Sequence, residues 1–206
     1  MKRVIECVPN ISEGRDKAKI KRITDIVEKV DGALLLNVDP GKATNRTVIT
    51  IGGSPEDVME AAFQLIKKAS EEIDMSQHSG AHPRFGATDV CPLVPVSNVT
   101  MEECIEYARI LGKRIGEELS IPVYFYENAA TSSDRSNLAT VRSGEYEGLK
   151  DKLSDSNWKP DHGPSAYNES VSRSGVTAVS ARDFLVAYNI NLNTTSTRRA
   201  NSIAFD

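Results

Sequence analysis

The stretch HSGAHPRFGATDVCP, His78 to Pro92, places two of the chain's three histidines four residues apart and follows them with a proline and an arginine. Imidazoles at i and i+4 bind zinc when a helix carries them. Gly80 and Pro83 argue against a helix here, and no HExxH motif or cysteine pair offers a third ligand. Proton transfer is the second chemistry. An imidazole titrates near neutrality and can take up and return a proton within one turnover. A loop stiffened by Pro83 and released by Gly80 and Gly86 could present such a ring to a cleft. Arg84 suits a carboxylate-bearing substrate, because guanidinium binds carboxylates as a fork. A solvated surface loop with ordinary histidines explains the same residues.

Three further stretches carry polar groups. In NVDPGKATNRTV, Asn37 to Val48, Asp39 could orient an imidazole, Asn45 could hydrogen-bond a substrate, and Lys42 or Arg46 could meet a carboxylate. Asp, Pro, Gly and Asn are also what a plain hairpin turn uses. In CVPNISEG, Cys7 to Gly14, Ser12 and Glu13 read as helix capping and Cys7 as a small buried hydrophobe. GPSAYNESVSRSG, Gly163 to Gly175, is either a ligand-covering loop or a connector, and His162 just before it reads as a loop residue. There is no Gly-rich phosphate motif, GxSxG elbow or aromatic RNA platform.

The elements that must position these residues follow from periodicity. Val4 to Val8 reads as a strand closed by Pro9-Asn10. Arg15 to Val30 has helical apolar spacing, and Ala33 to Val38 reads as a strand buried on both faces. Thr47 to Ile51 alternates with β-branched residues. Ser54-Pro55-Glu56-Asp57 starts a helix that runs to about Ile73. Val90 to Val96 can pair despite two prolines, near a sheet edge or with bulges. Thr100 with Glu103 is a capping box opening a helix whose apolar face runs from Cys104 to Leu119. Pro122 to Tyr126 is the next strand, and residues 127–165 wander, with a short helix at Glu145 to Leu153. Phe184 to Ile190 is the clearest later strand, and a helix begins near Ser196.

This order predicts an α+β fold. It is a split βαβ, ferredoxin-like mixed sheet with helices on one face, and its other apolar face must be covered by a second sheet or a partner. The 206 residues, 39% hydrophobic and 26% charged, can bury a core. A net charge of -4 argues against a broad grip on nucleic acid. No apolar run approaches a membrane span or a secretory signal. Cys7, Cys91 and Cys104 are scattered as reduced thiols of a cytoplasmic protein would be.

Seven stretches in register, ECVPNISEG, LLNVDPGKATNRTV, IDMSQHSGAHPRFGATDVCPLVPV, IPVYFYENAA, VRSGEYEGL, WKPDHGPS and FLVAYNINL, resemble the formiminotransferase family. The resemblance implies transfer of a formimidoyl group from N-formimidoyl-L-glutamate to tetrahydrofolate, giving 5-formimidoyltetrahydrofolate and glutamate, as in histidine breakdown. It implies tetrahydrofolate as co-substrate and no metal. It places the catalytic histidine at His82, and folate contacts at Gly163, Pro164, Ser165, Ala166 and Tyr167; Asp39 is then expected to hold the His82 tautomer, as a carboxylate does in a triad. It makes Asn10, Lys42, Asn45, Arg46 and Arg84 substrate-binding residues.

The resemblance also divides the chain. Residues 1–180 correspond to the family's N-terminal subdomain and 181–206 to the opening strand and helix of a C-terminal one. The pattern unfinished at Asp206 is expected of a truncated product or a short family member. The apolar face left open would favour a homodimer. The alternative is a non-catalytic folate-binding or interaction module that retains only the first subdomain. A zinc hydrolase is a third reading.

Overall fold

Val4–Cys7 (β1) and Asn10–Ile11 (β2) are two pieces of one line, interrupted at Val8-Pro9. The computed structural model describes residues 2–186, 190 and 192–205. Helix α1, Lys17–Thr24, is shorter than its periodicity predicts and passes into a 3-10 turn at Val27–Lys29. Its cap is Asp16, which accepts from Ala18 and Lys19, while Glu13 accepts from the Arg15 and Asp16 amides in the turn before it and Ser12 takes no part in the cap. Strands Ala33–Gly41 (β3) and Arg46–Gly53 (β4) form a hairpin. Ser54 caps α2, Pro55–Glu72, with proline in its first turn, and Thr100 and Glu103 form the capping box of α3, Met101–Leu119. Between them runs β5, Thr88–Ser97, and after them β6, Val123–Glu127.

Three short helices follow: α4, Leu138–Val141, α5, Leu149–Ser154, and α6, Glu169–Ser174. Then come β7, Thr177–Ala181, and α7, Thr197–Phe205. The expected strand at 184–190 is absent over Phe184 to Val186, and residues 187–189 lie outside the described ones.

The sheet is mixed. In space its order is β3, β4, the β1/β2 line, β5, β7, β6. The pairings are antiparallel up to β5 and parallel from β5 to β7 and from β7 to β6. Two expectations are corrected. β3 is an edge strand with Leu34 and Leu36 exposed, so its apolar run is not buried on both faces. β5 is central, not at an edge, and the other expected arrangement holds: its pairing is irregular opposite Val4/Ile5 and opposite Asn10/Ile11. Pro92 lies opposite the break between β1 and β2, where its carbonyl accepts from Val8, and Pro95 lies beyond the last residue that β7 pairs. The missing amide donors therefore cost the sheet little.

Strand alternation divides the core. Ile5, Cys7, Ile49, Ile51, Cys91, Leu93, Phe125 and Val179 face α1, α2 and α3. Each large apolar side chain buried there contributes roughly 1.5–3 kcal/mol. On the opposite face Val90, Tyr124, Tyr126 and Ala178 pack under Phe85, Val141 and Leu149. So the wandering segment itself covers the β6–β7 half of that face, and the β3–β4 half stays open. No helix among the described residues is long and apolar enough to cross a membrane.

Candidate active site

Three of the singled-out stretches meet in space. The 78–86 loop lies on the β3–β4 turn so closely that a Cβ on Gly80 would sit 2.2 Å from the Thr44 carbonyl oxygen. Asn45, at φ 49°, holds the junction. Its Oδ1 accepts from Gly14 N–H (3.0 Å) and its Nδ2 donates to the Ser79 carbonyl (2.9 Å). A left-handed Asn is among the cheaper non-Gly choices there. Ser12 Oγ donates to the Gly86 carbonyl (2.7 Å), and Thr47 donates to the Glu13 carbonyl. The turn, the N-terminal loop and the histidine loop are thus one polar weld.

The weld separates the two histidines. His78 uses both nitrogens: Nε2–H meets the Asn45 carbonyl (2.9 Å) and Nδ1 accepts from Arg84 Nε (3.2 Å). His82 uses one. Its Nδ1–H meets the Pro83 carbonyl (2.7 Å), and Nε2 has no partner among the described residues. That bond fixes the tautomer and leaves the Nε2 lone pair for a proton. Partial burial holds the His82 pKa below its ordinary value against the Pro83 bond, and the nearby cations Arg46 and Arg142 push it the same way. Both effects favour the uncharged ring.

His82 lines a cavity of about 570 Å³ with Asn10, Asp39, Arg46, Val48, Tyr126, Leu138, Arg142 and Arg182 among its walls. Arg46 is tied on two sides, to Asn10 Oδ1 through Nε (3.0 Å) and to Asp89. Asp89 is fully buried and also accepts from Arg142 Nη2 (2.8 Å) and from Phe85 N–H (3.0 Å). One carboxylate thus pre-positions two guanidiniums at the cavity. Asp39 makes no hydrogen bond to the His82 ring, so the orienting partner is a backbone carbonyl and not that carboxylate.

Arg84 lies elsewhere. It lines a separate cavity of about 540 Å³ with His78, Gly144, Glu145 and Glu147. Its fork is filled by Glu147 at 2.7 and 2.8 Å, with Glu145 at 3.3 Å. A substrate carboxylate would have to displace the chain's own.

The formiminotransferase domain, N-terminal subdomain, matches residues 4–182. The chain belongs to the formiminotransferase N-terminal subdomain family. It is 45% identical to the glutamate formimidoyltransferase of Streptococcus pyogenes serotype M1, over 99% of this chain and 67% of that protein. It is 50% identical to the formimidoyltransferase-cyclodeaminase of Dictyostelium discoideum, over 93% of this chain and 35% of that protein. The corresponding protein of Sus scrofa is 48% identical, over 100% of this chain and 37% of that protein. The chain thus spans little more than a third of the two longer relatives.

Within this formiminotransferase subdomain the remaining expected site residues fall apart. Lys42 is exposed and lends only its carbonyl, to Arg15 Nε (3.2 Å). Gly163, at φ 81°, packs on Ile121 and Pro122 at the entry of β6, whereas the His82 cavity reaches Tyr126 and Arg182 at the exits of β6 and β7. None of Gly163 to Tyr167 lines that cavity, and Tyr167 stands against Tyr146 instead (3.5 Å between hydroxyls). Conversely, Asp89, Arg142 and Arg182 were not singled out. Arg142 is the second residue of the VRSGEYEGL stretch, but no spacing rule links it to residues 46 or 89.

Proposed function

We propose that the chain carries the proton-transfer half of a glutamate formimidoyltransferase, which moves a formimidoyl group from N-formimidoyl-L-glutamate to N5 of tetrahydrofolate. One observation supports this above the rest: His82, its tautomer fixed by Pro83 and its pKa held down by burial, has an unpartnered Nε2 among the described residues and lines a cavity walled by three arginines and one carboxylate. The names of the relatives point the same way. The cavity opens on the uncovered half of a sheet that we read as a split βαβ unit, in the spatial order β3, β4, β1, β5.

The substrate joins a cationic amidine to two carboxylates, and the cavity offers charges of both signs. Asp39, which has no bond to the ring, is placed to hold the amidinium. N5 of the folate attacks the amidinium carbon and a tetrahedral adduct forms. His82 Nε2 takes the proton from N5, then delivers it to the glutamate nitrogen as the carbon–nitrogen bond breaks. The amidinium charge passes to the folate product, and glutamate leaves as its amine. No electron or proton is left over.

The test is formimidoyl transfer by the purified chain, followed by the absorbance of the folate product, with His82→Ala beside it. Transfer that falls by 10² or more in the variant, with folate affinity kept, is the expected result. Equal turnover in the variant would overturn the assignment. The alternative reading is a binding module without turnover. Folate binding without any transfer would establish it.

A further inference from the structure

We propose that Arg142 and Arg182 form a carboxylate clamp in the His82 cavity and select a dicarboxylate of glutamyl type. This rests on the transfer reading for the identity of the substrate, but not for the binding it predicts.

The three arginines of the cavity are not equivalent. Arg46 spends Nε on Asn10 and Nη1 on Asp89. Arg142 is held by Asp89 through Nη2 alone, and its Nε is buried with no partner among the described residues. Arg182 is held by its backbone, N–H to the Leu93 carbonyl (2.9 Å), and its Nε is likewise buried and unpartnered among those residues. A buried donor left without an acceptor forfeits its hydration and gains nothing in return. Such groups are rare in native interiors and call for a bound water, ion or ligand.

Two of them, on two guanidiniums facing one cavity, define an anion-binding pair. Guanidinium is planar and always charged, and it meets carboxylate with two parallel bonds. Both side chains come from rigid supports: Arg142 from the end of α4, pinned by a fully buried carboxylate, and Arg182 from the residue after β7. Little ordering remains to be done when the ligand arrives.

The chain's own acids do not fill the pair. Asp89 is committed to Arg46, Arg142 and the Phe85 amide, and Asp39 lines the wall without an ion pair among the described residues. Glu127 ends β6 near Arg182, yet its Oε2 is itself buried without a partner among those residues. Two cations with spare donors match two carboxylates on one small molecule.

Calorimetric titration of the chain with glutarate, L-glutamate and butyrate tests this without any turnover. Glutarate and glutamate should bind, with butyrate weaker by about tenfold or more. Arg182→Gln should weaken glutarate by about tenfold and leave butyrate within a factor of about two, while Arg182→Lys keeps part of the affinity. Arg182→Gln gives up no side-chain hydrogen bond among the described residues, and Arg182→Lys keeps the charge near the partly buried Glu127, so a loss of glutarate affinity in both at an unchanged melting temperature reports the clamp and not the fold. Arg142→Lys, which retains a charge for Asp89, is the second variant. Glutarate affinity unchanged in both variants, or no binding up to about 10 mM, overturns the clamp. Glutarate bound by a chain that transfers nothing leaves the clamp standing and removes the transfer reading. Transfer with an unchanged KM in Arg182→Gln does the reverse.

Discussion

Asp89 and Arg46 form an ion pair inside the protein, with Asp89 wholly buried and Arg46 at 8% exposure. Burial alone would depress the Arg46 pKa, and the carboxylate opposes that. Removing one partner of a buried pair strands the other and typically costs about 3–5 kcal/mol. Asp89→Asn keeps the volume and leaves both Arg46 and Arg142 without a countercharge. Chemical denaturation should show a loss of that order. The same carboxylate helps to hold the His82 pKa up, so an NMR titration of the variant should place His82 lower still. A variant as stable as the parent would remove Asp89 from this role.

Acid should weaken the fold through the histidines. Both His78 and His82 have pKa values below the ordinary 6.5, in each case chiefly because burial disfavours the charged ring. As pH falls below 6.5 the unfolded chain binds protons that the folded chain does not yet bind. Stability from this source is therefore whole above 6.5 and declines as pH falls toward the two folded values. Stability curves across that window should show the slope in the parent, and a smaller one in His82→Ala. If His82 acts as the base proposed above, transfer should show an acid limb in kcat/KM on the same side of 6.5.

How much of this was legible depends on what kind of signal each feature leaves. α2 and α3 announce themselves through Ser54-Pro55 and Thr100 with Glu103, because capping is local chemistry. Residue chemistry alone offers His78 and His82 as equals in a stiff loop; only the family resemblance singles out His82, and in the structure the weld through Asn45 ties up His78. The apolar run at Ala33 to Val38 has the composition of an inner strand and lies at an edge, because composition does not specify neighbours. β7 is short and rich in small residues, so the more apolar stretch after it drew the assignment. Arg84 looked like a free fork because its partner Glu147 stands 63 positions away. The cavity arginines come from a segment without periodicity and from a strand end, where spacing rules are silent.

Gly86 is fixed by contact. A Cβ built there would lie 1.9 Å from the Val176 carbonyl oxygen, a backbone atom in the stretch leading into β7. Overpacking of this kind usually costs about 1–3 kcal/mol. Gly86→Ala should lower the melting temperature and, by displacing the loop that carries His82, reduce turnover more than ligand affinity. Unchanged melting together with unchanged turnover would mean that the loop yields freely.

The three thiols should be silent in the native protein. Cys7 and Cys91 are buried with their Sγ atoms 3.4 Å apart, and burial holds the Cys7 thiol well above its usual value. Cys104 is pushed up to about 11, again by burial. Since the thiolate is the nucleophile, an aromatic disulfide reagent at pH 8 should label all three rapidly only after unfolding. Fast labelling of one thiol in the native protein would show that its strand opens readily.

Arg84 should behave as a fastener and not as a substrate ligand. Its side chain is 8% exposed, meets Glu147 in two-point contact, and lies in a different cavity from His82. Glu147→Gln keeps one acceptor and loses the charge, so the folded state should lose about 1–2 kcal/mol, read by denaturation. The KM for the carboxylate substrate should stay within about twofold, because no group in the His82 cavity has changed. The opposite pattern, full stability with a KM raised tenfold, would mean that the substrate reaches the Arg84 fork. The two cavities would then act as one elongated site, with Glu147 as the anion that the substrate displaces.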